Sequence, residues 1–154
     1  MGFMDKLGGN IANGLMGNLS QIDNDELMKD YGEYIMNGET IQIGFKMIRD
    51  IMIITDKRII EIDKQGATGQ KMRINSINLD SVIHVTAETS GFGADDSEIT
   101  ITYITSPYFK VSGGVSLAEK TFEFPKSFDI KYLYRLLQET AYENHERINR
   151  WVYG

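Results

Sequence analysis

Cysteine is absent from the 154 residues of this chain, and only two prolines and two histidines are present. Without cysteine there is no disulfide framework, no thiolate nucleophile and no zinc–thiolate site. Two isolated histidines, His84 and His145, do not supply the three converging ligands that a catalytic metal needs. Long apolar runs are missing too. The longest strongly apolar stretch is Ile51–Ile54, far short of the roughly 18 to 20 residues that cross a bilayer. The N-terminus has one lysine, Lys6, beside Asp5, so no secretory leader is visible, and Lys6 stands where a myristoylation signal wants Ser or Thr. A cytoplasmic protein is the expectation. Positive charge is scarce: 16 basic against 22 acidic residues leave a net charge of −6, which repels phosphate backbones and anionic lipid and argues against a nucleic-acid partner.

What is present is the balance of an ordinary folded domain, 42% hydrophobic and 25% charged, in a chain long enough for one core without staples. Residues 1–34 read as a helical N-terminal extension. Phe3, Leu7, Ile11, Leu15, Leu19 and Ile22 recur at steps of three and four and form one apolar stripe of a helix. Interior glycines cost that helix about 1 kcal/mol each, so it needs a covering surface. Its own domain, a neighbouring subunit or a lipid surface would serve, although a membrane-lying helix favours more Lys and Arg than this one carries. Asp23 then caps a short second helix, with Glu26 at the capping-box position. Gly32 or Gly38 ends it.

From Thr40 the period changes to two. Ile41, Ile43, Phe45 and Met47 predict a half-buried strand. Ile51–Thr55 and Arg58–Asp63 predict two more around an Asp56-Lys57 turn, and Gly66 and Gly69 mark the next hairpin before Lys71–Asn75. Val82–Glu88, Glu98–Tyr103 and Thr121–Phe124 complete seven, the last stopping at Pro125. Ser127 is expected to cap a final helix whose stripe is Phe128, Tyr132, Leu133, Leu136, Leu137 and Ala141, with i,i+4 pairs Glu143–Arg147 and Glu146–Arg150 further on.

Catalytic signatures are lacking. There is no nucleophile elbow, Walker lysine or zincin helix. Gly66-Ala67-Thr68-Gly69 matches a KH-type G-x-x-G but joins strands rather than helices, and Asp23-Asn24-Asp25 opens like a calcium loop but has Met28 where the glycine belongs. No enzyme activity, cofactor or metal is expected.

The text Thr55-Asp56-Lys57-Arg58 through Lys71, followed by Ser76-Ile77, Asp80-Ser81-Val82 and Glu88-Thr89-Ser90-Gly91, resembles the bacterial pleckstrin-homology-like (PH-like) family over about residues 35–142. The resemblance implies a mainly β fold: a seven-stranded antiparallel sandwich or partly open barrel capped by a C-terminal helix. Residues 143–154 are left as a C-terminal extension of that helix or a tail. It also implies a non-catalytic scaffold forming cyclic homo-oligomers and meeting an unidentified protein partner through a hydrophilic strand surface. The candidates on this chain are Lys71, Arg73, His84, Thr86 and Glu88. Eukaryotic relatives of the fold bind phosphoinositides near the first strand-to-strand loop, which here is Arg49-Asp50, its charge cancelled. Lys46, Arg49, Lys57 and Arg58 are the conceivable phosphate contacts. A peripheral membrane adaptor, anchored by the stripe from Phe3 to Ile22, is the alternative function.

Overall fold

The computed structural model describes residues 8–18, 20–91, 96–106 and 114–153, with side chains as far as Arg150. Two antiparallel sheets face each other. The first has the order β1 (Gln21–Ile22), β2 (Ile41–Lys46), β3 (Asp50–Thr55), β4 (Arg58–Gln65), β5 (Lys71–Asn78); the second has β6 (Val82–Glu88), β7 (Ser97–Ile104), β8 (Leu117–Phe124). Helices α1 (Gly9–Met16), α2 (Asn24–Tyr31) and α3 (Ile130–Tyr153) lie around them. All seven predicted strands are present. β1 is an addition, two residues pairing Gln21 with Phe45 and Ile22 with Gly44.

The double-sided apolar character of β3 and β4 has a direct cause: both faces of the first sheet are covered at these strands and at β2. Ile43, Phe45, Met52, Ile54 and Ile59 point into the sandwich with Ile99, Ile101, Phe122 and Phe124 of the second sheet. Ile41, Ile53, Ile60 and Ile62 point the other way and meet Leu27 and Tyr31 of α2. Period-two geometry sends alternate residues to opposite faces, so a strand buried on both must be apolar throughout. At Gly44 α2 comes so close that a Cβ would collide with the Leu27 side chain. The β4–β5 turn needs glycine for a different reason: Gly66 and Gly69 have φ of 82° and 64°, a region that disfavours residues bearing a Cβ.

α3 plugs the sandwich with Leu133, Leu136, Leu137 and Ala141. Phe128, just ahead of it, stacks on Phe124 at 4.5 Å and meets Phe45 edge-on at 5.0 Å. The helix continues unbroken past residue 142 to Tyr153. Asn144, buried in its middle, donates to the carbonyls of Leu79 and Val82 at 2.8 and 2.7 Å, and Arg147 donates to that of Asp80 at 2.8 Å. Buried carbonyls at the β5–β6 connection are satisfied from the helix.

Three local expectations are corrected. Asp129, not Ser127, caps α3, its carboxylate accepting from the Lys131 amide at 3.2 Å; Ser127 lies in the preceding turn. β8 starts at Leu117, four residues before the predicted strand. Its early inward positions are Ala118 and Lys120, which leave no apolar alternation to detect. The N-terminal stripe is not one continuous helix. α1 ends at Met16, and Ile22 belongs to β1, half-buried against the outer apolar layer. Ile11 and Leu15 are buried in the main core, where α1 packs on α3 and Gly14 sits against the Tyr132 ring. Phe3, Leu7 and Leu19 lie outside the described residues.

Candidate functional site

The Thr55-Asp56-Lys57-Arg58 turn is the most specific stretch of the sequence, and its chemistry is turned inward. Thr55 Oγ1 accepts from the amides of Lys57 and Arg58 at 3.1 and 3.0 Å and donates to Glu39 Oε2 at 2.7 Å. Asp56 accepts from the Thr40 amide at 2.8 Å. Arg58 grips Glu39 with two bonds, Nε to Oε2 at 2.8 Å and Nη2 to Oε1 at 3.0 Å. It also donates to Ser76 Oγ at 2.7 Å and to the Tyr34 carbonyl at 2.6 Å. The Glu39 side chain is fully buried. Burial alone would raise its pKa; the hydrogen bonds from Arg58, Met36 and Thr55 and the Arg58 charge outweigh it and hold the group at about 2. Of the four conceivable phosphate contacts, Arg58 is therefore occupied with Glu39. Lys46, Lys57 and Arg49 are exposed on the surface.

A second polar cluster lies between the sheets near the β2–β3 hairpin. Lys120 of β8 bonds Glu61 of β4 at 2.9 Å across the sandwich, and the Ile48 amide donates to the Glu123 carbonyl at 3.4 Å. Asp50 and Asp63 stand directly opposite on β3 and β4, a like-charge arrangement that costs stability. Burial, then the charges of Glu61 and Asp63 and a hydrogen bond with Asp63, push Asp50 up to about 6, against the opposing pull of Lys120. A cleft of about 200 Å³ opens here, lined by Arg49, Asp50, Glu61, Thr121 and Glu123 with Met47 and Phe122 at its apolar side. Among the described residues no group of His, Asp or Glu is arranged to hold a metal. Sequence reasoning missed Glu39, Asp50, Glu61 and Lys120, because each acquires its role from a partner on another strand.

The five candidate interaction residues fall on two strands. Lys71 and Arg73 are exposed on β5, Arg73 opposite Asp63; His84, Thr86 and Glu88 are exposed on β6, the first two 3.4 Å apart. β5 and β6 are outermost strands of different sheets, so the five side chains do not share one strand face. Part of the β6 margin is held by α3, where His145 Nε2 donates to the Ile83 carbonyl at 2.7 Å. No described helix is long and apolar enough to cross a membrane.

The fold has counterparts in known proteins. Bacillus subtilis (strain 168) has a protein, YjqA, whose function is uncharacterised; it is 37% identical over 101 residues, 66% of this chain and 74% of its own length. A pleckstrin homology domain from Shewanella amazonensis SB2B superposes with a TM-score of 0.60 and 29% identity, covering 84% of this chain and 96% of its own. A DUF1696-family protein with a pleckstrin-homology domain, from Shewanella loihica PV-4, gives 0.59 and 26%, covering 81% and 98%. The family model described as "Bacterial PH domain" matches residues 10–141, from α1 into α3, and the chain belongs to that family.

Proposed function

We propose that this bacterial PH domain is a non-catalytic scaffold that self-associates, as a ring of identical copies, and meets a protein partner along its strand margins. The observation that carries this reading is β5. Among the described residues it pairs only with β4, over eight residues from Lys71 to Asn78, and so leaves one row of backbone donors and acceptors unpaired within the sheet. An edge of that kind adds a strand from another chain by main-chain hydrogen bonding, with no special side chains required. Lys71 and Arg73 on the edge, and His84, Thr86 and Glu88 on the neighbouring sheet's margin, would then set register and choice of partner. The lipid-lying alternative has less to rest on, since Ile11 and Leu15 are buried against α3 rather than facing outward.

Sedimentation or light scattering of the full chain over a range of concentrations tests the proposal. A mass that is a fixed multiple of 17.5 kDa, reduced by Lys71→Glu with Arg73→Glu, is the expected result. A strict monomer well above about 1 μM overturns it.

A further inference from the structure

Three large apolar side chains that remain exposed lie within residues 28–36: Met28 at 48%, Tyr34 at 44% and Met36 at 49%. A single exposed apolar residue is ordinary, but three within nine residues are a concentration of the kind found at contact surfaces. This patch is held in shape from beneath. Leu27 and Tyr31 anchor α2 in the outer apolar layer and Ile35 packs against the same layer. Arg58 holds the Tyr34 carbonyl, and Glu39 accepts from the Met36 amide at 2.9 Å. Tyr34 closes the 3-10 turn Gly32–Tyr34, and it and Met36 stay exposed on either side of Ile35, whose side chain packs against the outer apolar layer. The Met28 methyl lies 3.2 Å from where a Cβ on Gly32 would stand, which brings it to the start of the same turn. Unbranched thioethers adapt to differing apolar surfaces.

Charge states what kind of surface fits. Residues 23–33 carry Asp23, Asp25, Glu26, Asp30 and Glu33, all exposed, against Lys29 alone. An anionic membrane or a nucleic acid is repelled by that field, and a second copy would present the same acidic patch on a chain of net charge −6. We propose that the Met28–Met36 surface docks a basic amphipathic segment of another protein, its apolar side chains on the two methionines and Tyr34 and its lysines or arginines on the carboxylates of α2. The proposal is independent of the β5 edge.

The test uses the full chain and a labelled peptide of about 18 residues whose helical wheel places Leu and Phe on one face and Lys on the other. Fluorescence anisotropy should show saturable binding that weakens severalfold between about 50 and 200 mM salt. The double variant Met28→Ser/Met36→Ser should bind at least about tenfold more weakly, with an unchanged circular dichroism melt, and Glu33→Lys with Asp25→Lys should weaken binding as well. Val115→Ser/Leu117→Ser, two exposed apolar residues elsewhere, should leave binding intact. The proposal is overturned by any of the following: no binding up to about 1 mM, equal binding by the methionine variant or by a peptide with Glu in place of Lys, or anionic vesicles binding through the same residues. A change in the mass of the unliganded protein on Met28→Ser/Met36→Ser would assign the patch to contact between copies and overturn it too.

Discussion

Glu39 and Asp50 are carboxylates tied to the same sheet, both removed from bulk water to some degree, and their chemistry diverges. Burial pushes both upward. Glu39 nonetheless stays near 2, because Arg58 meets it with two bonds and Thr55 and the Met36 amide supply two more. Asp50 rises to about 6, chiefly through burial, with the charges of Glu61 and Asp63 and a hydrogen bond with Asp63 adding to it, and the Lys120 charge does not offset them. The comparison teaches that burial raises both carboxylates and is overcome only where several donors and a cation face the group, as at Glu39. It also separates two roles: the Glu39 network locks the turn and the 32–38 segment together, whereas the Asp50 cluster stores repulsion at the opening between the sheets.

The largest effect is expected from breaking the complemented site. Arg58→Ala leaves Glu39 buried without its cation and should cost about 3–5 kcal/mol in urea unfolding. The compensating Glu39→Gln placed on top should recover part of the loss. Lys120→Ala, which removes the charge bonded to Glu61 and facing Asp50, should cost about 1–3 kcal/mol and move the Asp50 titration upward, read from carboxyl chemical shifts against pH. The smallest effect runs the other way. Asp50→Asn should stabilise the protein at pH 7 by roughly 1 kcal/mol, a modest figure because the group is partly solvated.

The pH dependence follows with opposite signs. The folded pKa of Asp50 is raised from 3.8 to about 6, so its contribution is complete below about 3.8 and is lost as pH rises through 6. Glu39 is lowered from 4.5 to about 2, so its contribution is complete above about 4.5 and is lost as pH falls through 2. Thermal melts between pH 4 and 7 should therefore show Asp50→Asn and the natural chain converging at the acid end and separating toward neutrality. Parallel curves would refute the assignment of that slope to Asp50.

Much of the β architecture was legible because it depends on patterns a few residues long. The alternation of Ile43 and Phe45 and the stripe from Leu133 to Ala141 each report one element and its side toward the main core, and the glycines at 66 and 69 report a turn; Ile41 falls on the opposite face because a bulge separates it from Ile43. The misplaced features share a different origin. Lys120 interrupts an apolar alternation because its partner is Glu61 on the facing sheet. Ile22 fits a helical spacing but pairs with Gly44 in a strand, since hydrogen bonds to β2 outweigh a weak, glycine-rich helical preference. Arg58 reads as a free cation until Glu39, nineteen residues earlier, is folded against it.

Local sequence alone determined that this chain forms an antiparallel β fold closed by an amphipathic helix, because side-chain periodicity and turn chemistry act between near neighbours. Tertiary structure decided which charges are neutralised, which carboxylates repel, that strands β2 to β4 of the first sheet are covered on both faces, and that the candidate residues of β5 and β6 lie on margins of separate sheets. Those outcomes depend on distances between strands remote in the chain, and electrostatic and packing energies are settled only where such distances become a few ångströms.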